Sequence, residues 1–350
     1  MKHKVSYVSG GWGVGYAPQI LTAAIGTVDQ RPAQALGLTP AALAGATMGT
    51  TWSARLGLPP GVSPLDAKRA ITEALDLVVA QMSTWDERSD LSRFNQAEVG
   101  WHPLPEPCFH VLTRALHWAA ETGGAYDPTV GPLVNAWGFG PPPYASEPPG
   151  PELLSALRQR CGWQHLRLDH DHRRAWQKGG VCIDLSAIAK GYGVDLAAQS
   201  LARLGVHDFL MEVGGELRSS GRRPDGAPWR VAVEFPDGSE DHAMAIALQG
   251  RSIATSGDYR RYREDQMGRY AHTVDPRTGR PIANGVASVT VVHAACMDAD
   301  ALSTTLTVMG EQEGMDYAQS RGLAALFIVR DGQQLRMTAS PAFEALLAAQ

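Results

Sequence analysis

Asp300 and Thr304 stand four residues apart in the run Asp298-Ala299-Asp300-Ala301-Leu302-Ser303-Thr304-Thr305, whose composition predicts a helix. Positions four apart share a helix face, so one carboxylate and one hydroxyl point at the same spot. Hard oxygen donors of this kind suit Mg²⁺, which keeps several waters and shares substrate phosphate oxygens. Mn²⁺ or Ca²⁺ would accept the same donors. A plainer arrangement is also open, with Asp298 or Asp300 capping the helix and Ser303 and Thr304 bonding back to its backbone. The run Asp184-Leu185-Ser186-Ala187-Ile188-Ala189-Lys190-Gly191-Tyr192 joins a predicted strand to a predicted helix. Backbone groups at such a junction can bind phosphate or offer a carbonyl to a metal. Lys190 falls in the first helical turn, where a cation opposes the helix dipole unless an anion is near. Ser186 and Lys190 are four apart, which excludes the S-x-x-K arrangement of a serine hydrolase.

Three weaker signals accompany these. Glu212-Val213-Gly214-Gly215-Glu216 places two glycines after an apolar strand, allowing either a ligand close to the backbone or a β-bulge. Thr255-Ser256-Gly257-Asp258 offers small hydroxyls for phosphate or ribose, or a turn. His272 precedes an acidic turn at Asp275 and suits a general base beside a phosphate, or a structural histidine.

The elements that must position these groups follow from the pattern. A first strand is expected over 45–57, and apolar spacing predicts helices over 65–85, 107–122 and 152–161. A hairpin is expected over 165–176, then a strand at 181–184 feeding a helix from about 187 to 204, and a strand at 209–213. Residues 216–293 read as a meander of short strands, 298–309 and 312–321 as helices, and 324–329 as a last core strand. Strands and helices mix without regular βα alternation, so the fold class is α+β with largely antiparallel sheets and flanking helices. The Gly10–Gly15 cluster lacks the G-x-G-x-x-G spacing of a dinucleotide fold.

The 350 residues carry a formal net charge of −5, with 19% charged and 44% hydrophobic residues. That balance excludes a general nucleic-acid binder, and any phosphate chemistry must be local. The four cysteines, Cys108, Cys161, Cys182 and Cys296, form no CxxC pair and read as buried free thiols. No apolar run is long enough to span a membrane. Residues 1–44 read as a poorly structured leader or arm, and 45–350 as one domain or two tightly packed subdomains.

Taken in order, these residues resemble the ApbE family of FAD:protein FMN transferases from about Gly45 to Val329. The likeness is carried by Met48-Gly49-Thr50, Ser92-Arg93-Phe94-Asn95, Tyr126 to Leu133, Asp184 to Asp195, Gly214-Gly215-Glu216, Thr255 to Tyr259, His272 to Gly279, and Asp300 to Thr304. The resemblance implies a central cleft holding FAD and a metal. It makes Asp300, Thr304 and the Ala187 carbonyl the metal ligands. It places Met48, Asn95, Tyr126, Asp127, Lys190, Glu212, Thr255 and His272 at the flavin nucleotide, with Asn95 holding a nearby loop. His272 is the expected base, oriented by Asp275, and Lys190 adds positive charge. The implied reaction moves FMN from FAD to a Thr or Ser hydroxyl of a target flavoprotein, with AMP released. An FAD pyrophosphatase and a non-catalytic FAD-binding maturation partner use the same residues and stay open. The absence of a clear signal segment points to the cytoplasm, and the family to a periplasmic or membrane-associated place.

Overall fold

Residues 37–142, 147–236, 244–259, 262–265, 268–332 and 334–349 are described by the computed structural model. In chain order, β1 (Thr39–Thr47) and β2 (Thr50–Leu58) lead into helix α1 (Pro64–Met82) and the short α2 (Asp90–Asn95). Strand β3 (Gly100–Pro103), helices α3 (Glu106–Glu121), α4 (Gly131–Ala136) and α5 (Pro151–Arg158), and the hairpin of β4 (Leu166–Asp169) and β5 (Arg174–Gln177) follow. Helix α6 (Ala189–Arg203) precedes β6 (Asp208–Val213), β7 (Glu216–Ser220), β8 (Arg230–Val233), β9 (Met244–Ala247) and β10 (Ser252–Gly257). Next come β11 (Tyr262–Asp265), β12 (Gly268–Ala271), β13 (Val274–Asp275), β14 (Arg280–Pro281) and the long β15 (Val286–His293). Helix α7 (Cys296–Ser320), β16 (Ala324–Asp331), β17 (Gln334–Ala339) and α8 (Pro341–Ala348) close the chain.

An eight-stranded sheet in the order β1-β2-β6-β7-β10-β15-β16-β17 is the frame. Every neighbouring pair in it is antiparallel, as expected. Side chains alternate across its two faces. On one face Trp52, Leu56, Phe209 and Met211 pack against Ile71 and Leu75 of α1 and Val194 and Leu201 of α6. The same face continues through Val289, Val291 and Phe327 onto Leu302 and Leu306 of α7 and Leu112 of α3. On the other face Leu210, Ile253, Val292 and Leu326 meet Val231 and Ile246 of the β8–β9 hairpin and Phe343 and Leu346 of α8. Burial on both faces explains why β15 is buried from Val286 to Val292 without alternation, Ser288 and Thr290 included.

Local chemistry sets the helix ends. Ser63 and Asp66 form a capping box at the start of α1, with Pro64 at its first position. Helix α7 has no side-chain cap of its own. Asp195 of α6 supplies one, accepting from the backbone N–H groups of Cys296 and Met297 at 3.1 and 2.9 Å.

Several expectations need correction. The first strand of 45–57 is a hairpin: β1 and β2 turn at Met48 and Gly49, both with positive φ (46° and 69°), as a two-residue primed turn requires. The boundary at 44/45 therefore falls inside β1; residues 1–36 of the proposed arm lie outside the described residues. Residues 181–184 are extended but join no sheet. The two helical stretches expected over 298–309 and 312–321 are present as the two halves of α7, separated at Gly310, whose backbone is non-helical (φ 81°). Strand β17 and helix α8 were not anticipated. All four thiols are free, three of them buried. Burial pushes Cys108 and Cys161 up to about 12 and Cys182 to about 11, so none is a thiolate near neutrality. Among the described residues, no helix is long and apolar enough to cross a membrane.

Candidate active site

The first turns of α6 and α7 touch because position 191 is glycine. A β-carbon there would stand 2.3 Å from the Cys296 carbonyl oxygen, an impossible contact. Close approach lets the Gly191 N–H donate to Asp300 Oδ2 at 2.9 Å. In a regular helix that N–H would bond the carbonyl four residues back, that of Ala187. Because α6 starts at Ala189, the Gly191 N–H is one of its unpaired first-turn donors, satisfied by Asp300, and no backbone bond to the Ala187 carbonyl occurs among the described residues.

Asp300 is buried at 3% exposure. Its Oδ1 lies 3.4 Å from Lys190 Nζ, whose closer partner is Glu216 Oε1 at 2.6 Å. Burial alone would pull the Lys190 ammonium down. The Asp300 and Glu216 carboxylates outweigh it and hold its pKa above the ordinary value. Burial pushes Glu216 up to about 7, with Lys190 opposing and Asp300 adding to the rise. The lysine expected to oppose the helix dipole therefore has two anions facing it.

Hydroxyl directions separate the two readings of the α7 sequence. Ser303, Thr305 and Thr307 turn back and donate to the carbonyls of Asp300, Ala301 and Ser303. Thr304 instead meets the Ser256 hydroxyl of β10 at 3.4 Å. Asp298 is held elsewhere: Arg114 binds it through Nε at 2.6 Å and a terminal nitrogen at 3.0 Å, and Trp118 Nε1 donates at 2.8 Å. Neither Asp298 nor Asp300 is the helix cap. Thr255 exchanges a hydrogen bond with Thr290 at 2.9 Å.

Tyr126 is buried, and its hydroxyl has no partner among the described residues. Burial, then the charges of Asp300, Asp184 and Asp127, hold its pKa well above the ordinary value. Met48, at the tip of the β1–β2 hairpin, packs against α6 where a side chain at Gly193 would meet its Sδ and Cε.

Other expected residues are engaged by the fold. Asn95 Nδ2 donates to the Ile183 carbonyl at 2.9 Å, and its Oδ1 accepts from the Ile183 N–H at 2.7 Å. Its amide therefore holds the 181–184 segment as a strand neighbour would, and is not turned to a ligand. Asp127 accepts from Thr129 N–H and hydroxyl and from Trp163 N–H. It borders a cleft of about 440 Å³ whose lining, including Arg158, Trp163 and Arg277, contains neither Lys190 nor Asp300. Glu212 accepts from Gly215 N–H at 2.8 Å and from the Ser53 hydroxyl at 3.1 Å, fixing the turn between β6 and β7. His272 stands edge-on to Phe139, ring centroids 6.4 Å apart. The Asp275 carboxylate binds the Arg277 backbone N–H at 2.8 Å and guanidinium at 3.1 Å within its own turn. Reasoning from sequence passed over Glu216, although the motif containing it was read. The signal was an acid directly after two glycines, at the first position of β7 and opposite Val213 of β6.

Among the described residues there is no cluster of three His, Cys, Asp or Glu. Asp300 and Thr304 stand one turn apart on α7, and the Gly191 N–H ties Asp300 to the start of α6.

Comparison with known proteins shows the family. The model of the ApbE family matches residues 48–327. The chain belongs to the ApbE family. It is 42% identical to the FAD:protein FMN transferase of Vibrio cholerae over 316 residues, covering 87% of this chain and 92% of that protein. With the Escherichia coli K12 protein of the same name it shares 37% identity, covering 87% and 88%. Among solved structures, the flavin transferase ApbE from Vibrio cholerae superposes with a TM-score of 0.82 at 39% identity, covering 88% of this chain and 99% of that one. The apo form of the Pseudomonas stutzeri flavinyl transferase ApbE gives 0.83 at 37% identity, covering 89% and 98%. An ApbE-type α+β fold, antiparallel with flanking helices, is therefore shared across the whole described chain.

Proposed function

We propose that the chain is an FAD:protein FMN transferase that transfers FMN from FAD to a Thr or Ser hydroxyl of a target flavoprotein. The observation that carries this is the junction of α6 and α7. There Gly191 binds Asp300, Lys190 faces it, and the Ala187 carbonyl, just before the helix, accepts no backbone bond among the described residues.

The residues present fit a divalent cation. Asp300 is a buried carboxylate with one short bond and one long one, so it retains unused acceptor capacity. Thr304 and the Ala187 carbonyl add neutral oxygens, the donor class that Mg²⁺ takes. A bound Mg²⁺ would supply charge neutralisation at the pyrophosphate of FAD. Lys190 adds a second positive charge from the same side. Phosphoryl transfer asks mainly for positioning and electrostatic stabilisation. The acceptor hydroxyl oxygen forms a bond to the phosphorus on the FMN side, and the bond from that phosphorus to the bridging oxygen breaks, releasing AMP. His272 is the residue assigned to take the hydroxyl proton. Tyr126, Met48 and Thr255 are the residues assigned to line the FAD site; the buried, unpartnered Tyr126 hydroxyl supports that role.

The test is AMP release from FAD with Mg²⁺, with and without an acceptor flavoprotein, followed by mass spectrometry of the acceptor. An FMN mass on the acceptor together with AMP establishes transfer. AMP and free FMN with no labelled acceptor would favour the pyrophosphatase, and bound FAD without AMP the non-catalytic partner.

A further inference from the structure

Lys190 stands between two buried carboxylates and is not shared equally. Glu216 Oε1 lies 2.6 Å from its Nζ, a short charge-assisted bond, and Asp300 Oδ1 lies 3.4 Å away, at the outer limit of hydrogen bonding. Both carboxylate side chains are 4% exposed, so solvent screens neither attraction much. Glu216 opens β7, which is paired to β6 and β10 inside the large sheet, so its place is set by the frame. Its second oxygen, Oε2, is buried with no hydrogen-bond partner among the described residues. Among the described residues, Lys190 is the cation paired with this carboxylate.

We infer that Glu216 is a positioning residue that draws the Lys190 ammonium away from Asp300 and so keeps the Asp300 carboxylate open to a divalent cation. This rests on the cation reading of Asp300 given above. Without the charge of Glu216, the nearest anion for the ammonium is Asp300, and a closed Lys190–Asp300 pair competes with a dication for the same oxygens. Glu216 thus acts through Lys190 and not as a ligand. The rival account, in which Glu216 simply adds negative charge that attracts the cation, predicts an effect that does not depend on Lys190.

A double-mutant cycle separates the two. Mg²⁺ alone is titrated calorimetrically into the full chain at pH 8, with thermal melting of each variant alongside. Glu216→Gln is expected to raise the Kd for Mg²⁺ about tenfold, equivalent to about 1.4 kcal/mol. The same substitution made on top of Lys190→Met is expected to change it by less than about twofold. An unchanged Kd in Glu216→Gln, or an equal loss in both backgrounds, overturns the inference. If Glu216→Gln does not fold, Glu216→Asp replaces it: the charge is kept but its reach shortened. A raised Kd that disappears in the Lys190→Met background supports the positioning role, and an unchanged Kd overturns it. Wild-type-like Mg²⁺ binding by Asp300→Ala, or none by the wild type, removes the cation reading itself and this inference with it.

Discussion

Carboxylates of similar appearance in the sequence have opposite uses in the fold. Asp298 and Asp300 are two residues apart on α7, yet Asp298 is closed off by Arg114 and Trp118 while Asp300 keeps acceptor capacity. Replacing each by alanine should split stability from catalysis. Asp298→Ala leaves the Arg114 guanidinium and the Trp118 N–H without their partner. Because Arg114 is about one-third exposed, the expected loss is discounted to about 1–3 kcal/mol, read as a lowered melting temperature with Mg²⁺ affinity little changed. Asp300→Ala should leave melting near wild type and reduce AMP release at least about a hundredfold, the scale of losing a central electrostatic group. Near-normal turnover in Asp300→Ala at physiological Mg²⁺ would remove the cation assignment. Spacing alone could pair Asp300 with Thr304, since a helix face is a local property. It could not tell which acid was already engaged, because Arg114 and Trp118 lie 184 and 180 residues upstream on another helix. The same limit applies to Asp275: its arginine is visible two residues on, but a histidine three residues back is equally available in the sequence.

Between elements, the contact of α6 with α7 does most to assemble the site, and one hydrogen atom at position 191 permits it. Gly191→Ala would put a methyl group where the Cys296 carbonyl and Met297 Cα already stand, at 2.3 and 2.8 Å. The helices must separate, at an expected cost of about 1–3 kcal/mol as for other overpacked interiors. Because the Gly191–Asp300 bond spans the same contact, the variant should also weaken Mg²⁺ binding beyond its effect on melting. A variant that melts early but binds Mg²⁺ normally would show that the bond does not position Asp300. Helices α1 and α3 were legible because their buried residues recur at helical spacing and their ends carry Ser63-Pro64 and Pro105 signals. Strand β1, rich in alanine and glycine, carries no alternation strong enough to be read, and its partner β2 defines it. The 181–184 segment has strand composition without a strand partner, because Asn95 fills that place with a side chain. The break at Gly310 was legible because a glycine there separates two stretches of helical composition. Asn284 donates there to the carbonyls of Thr307 and Val308, so the chain changes direction without leaving them unpaired.

For the molecule as a whole, burying charge at the site couples folding to pH. Burial holds the Glu216 carboxyl at about 7 in the fold against an ordinary 4.5. A carboxyl whose pKa rises on folding binds its proton more tightly in the native state. Its contribution to stability is therefore full below about pH 4.5 and is lost as pH climbs through about 7. Asp127 and Asp195 are shifted the same way, burial again leading, and add to the slope. The exposed pairs act in the opposite sense. Asp169 is held at about 2, first by Arg174, so what it contributes is present above about 3.8 and is lost only as pH falls towards 2. The two groups of acids thus work in separate windows, and the interval from pH 5 to 8 belongs to the buried ones. Melting in the presence of a chelator should accordingly shift downward across that interval in the wild type, and the shift should be smaller in Glu216→Gln, whose amide cannot ionise. Glu216→Gln should also match or exceed the wild type in melting temperature at pH 8 while binding Mg²⁺ less well. An equal pH slope in the two proteins would mean that Lys190 keeps Glu216 ionised throughout, and that the slope comes from Asp127 and Asp195.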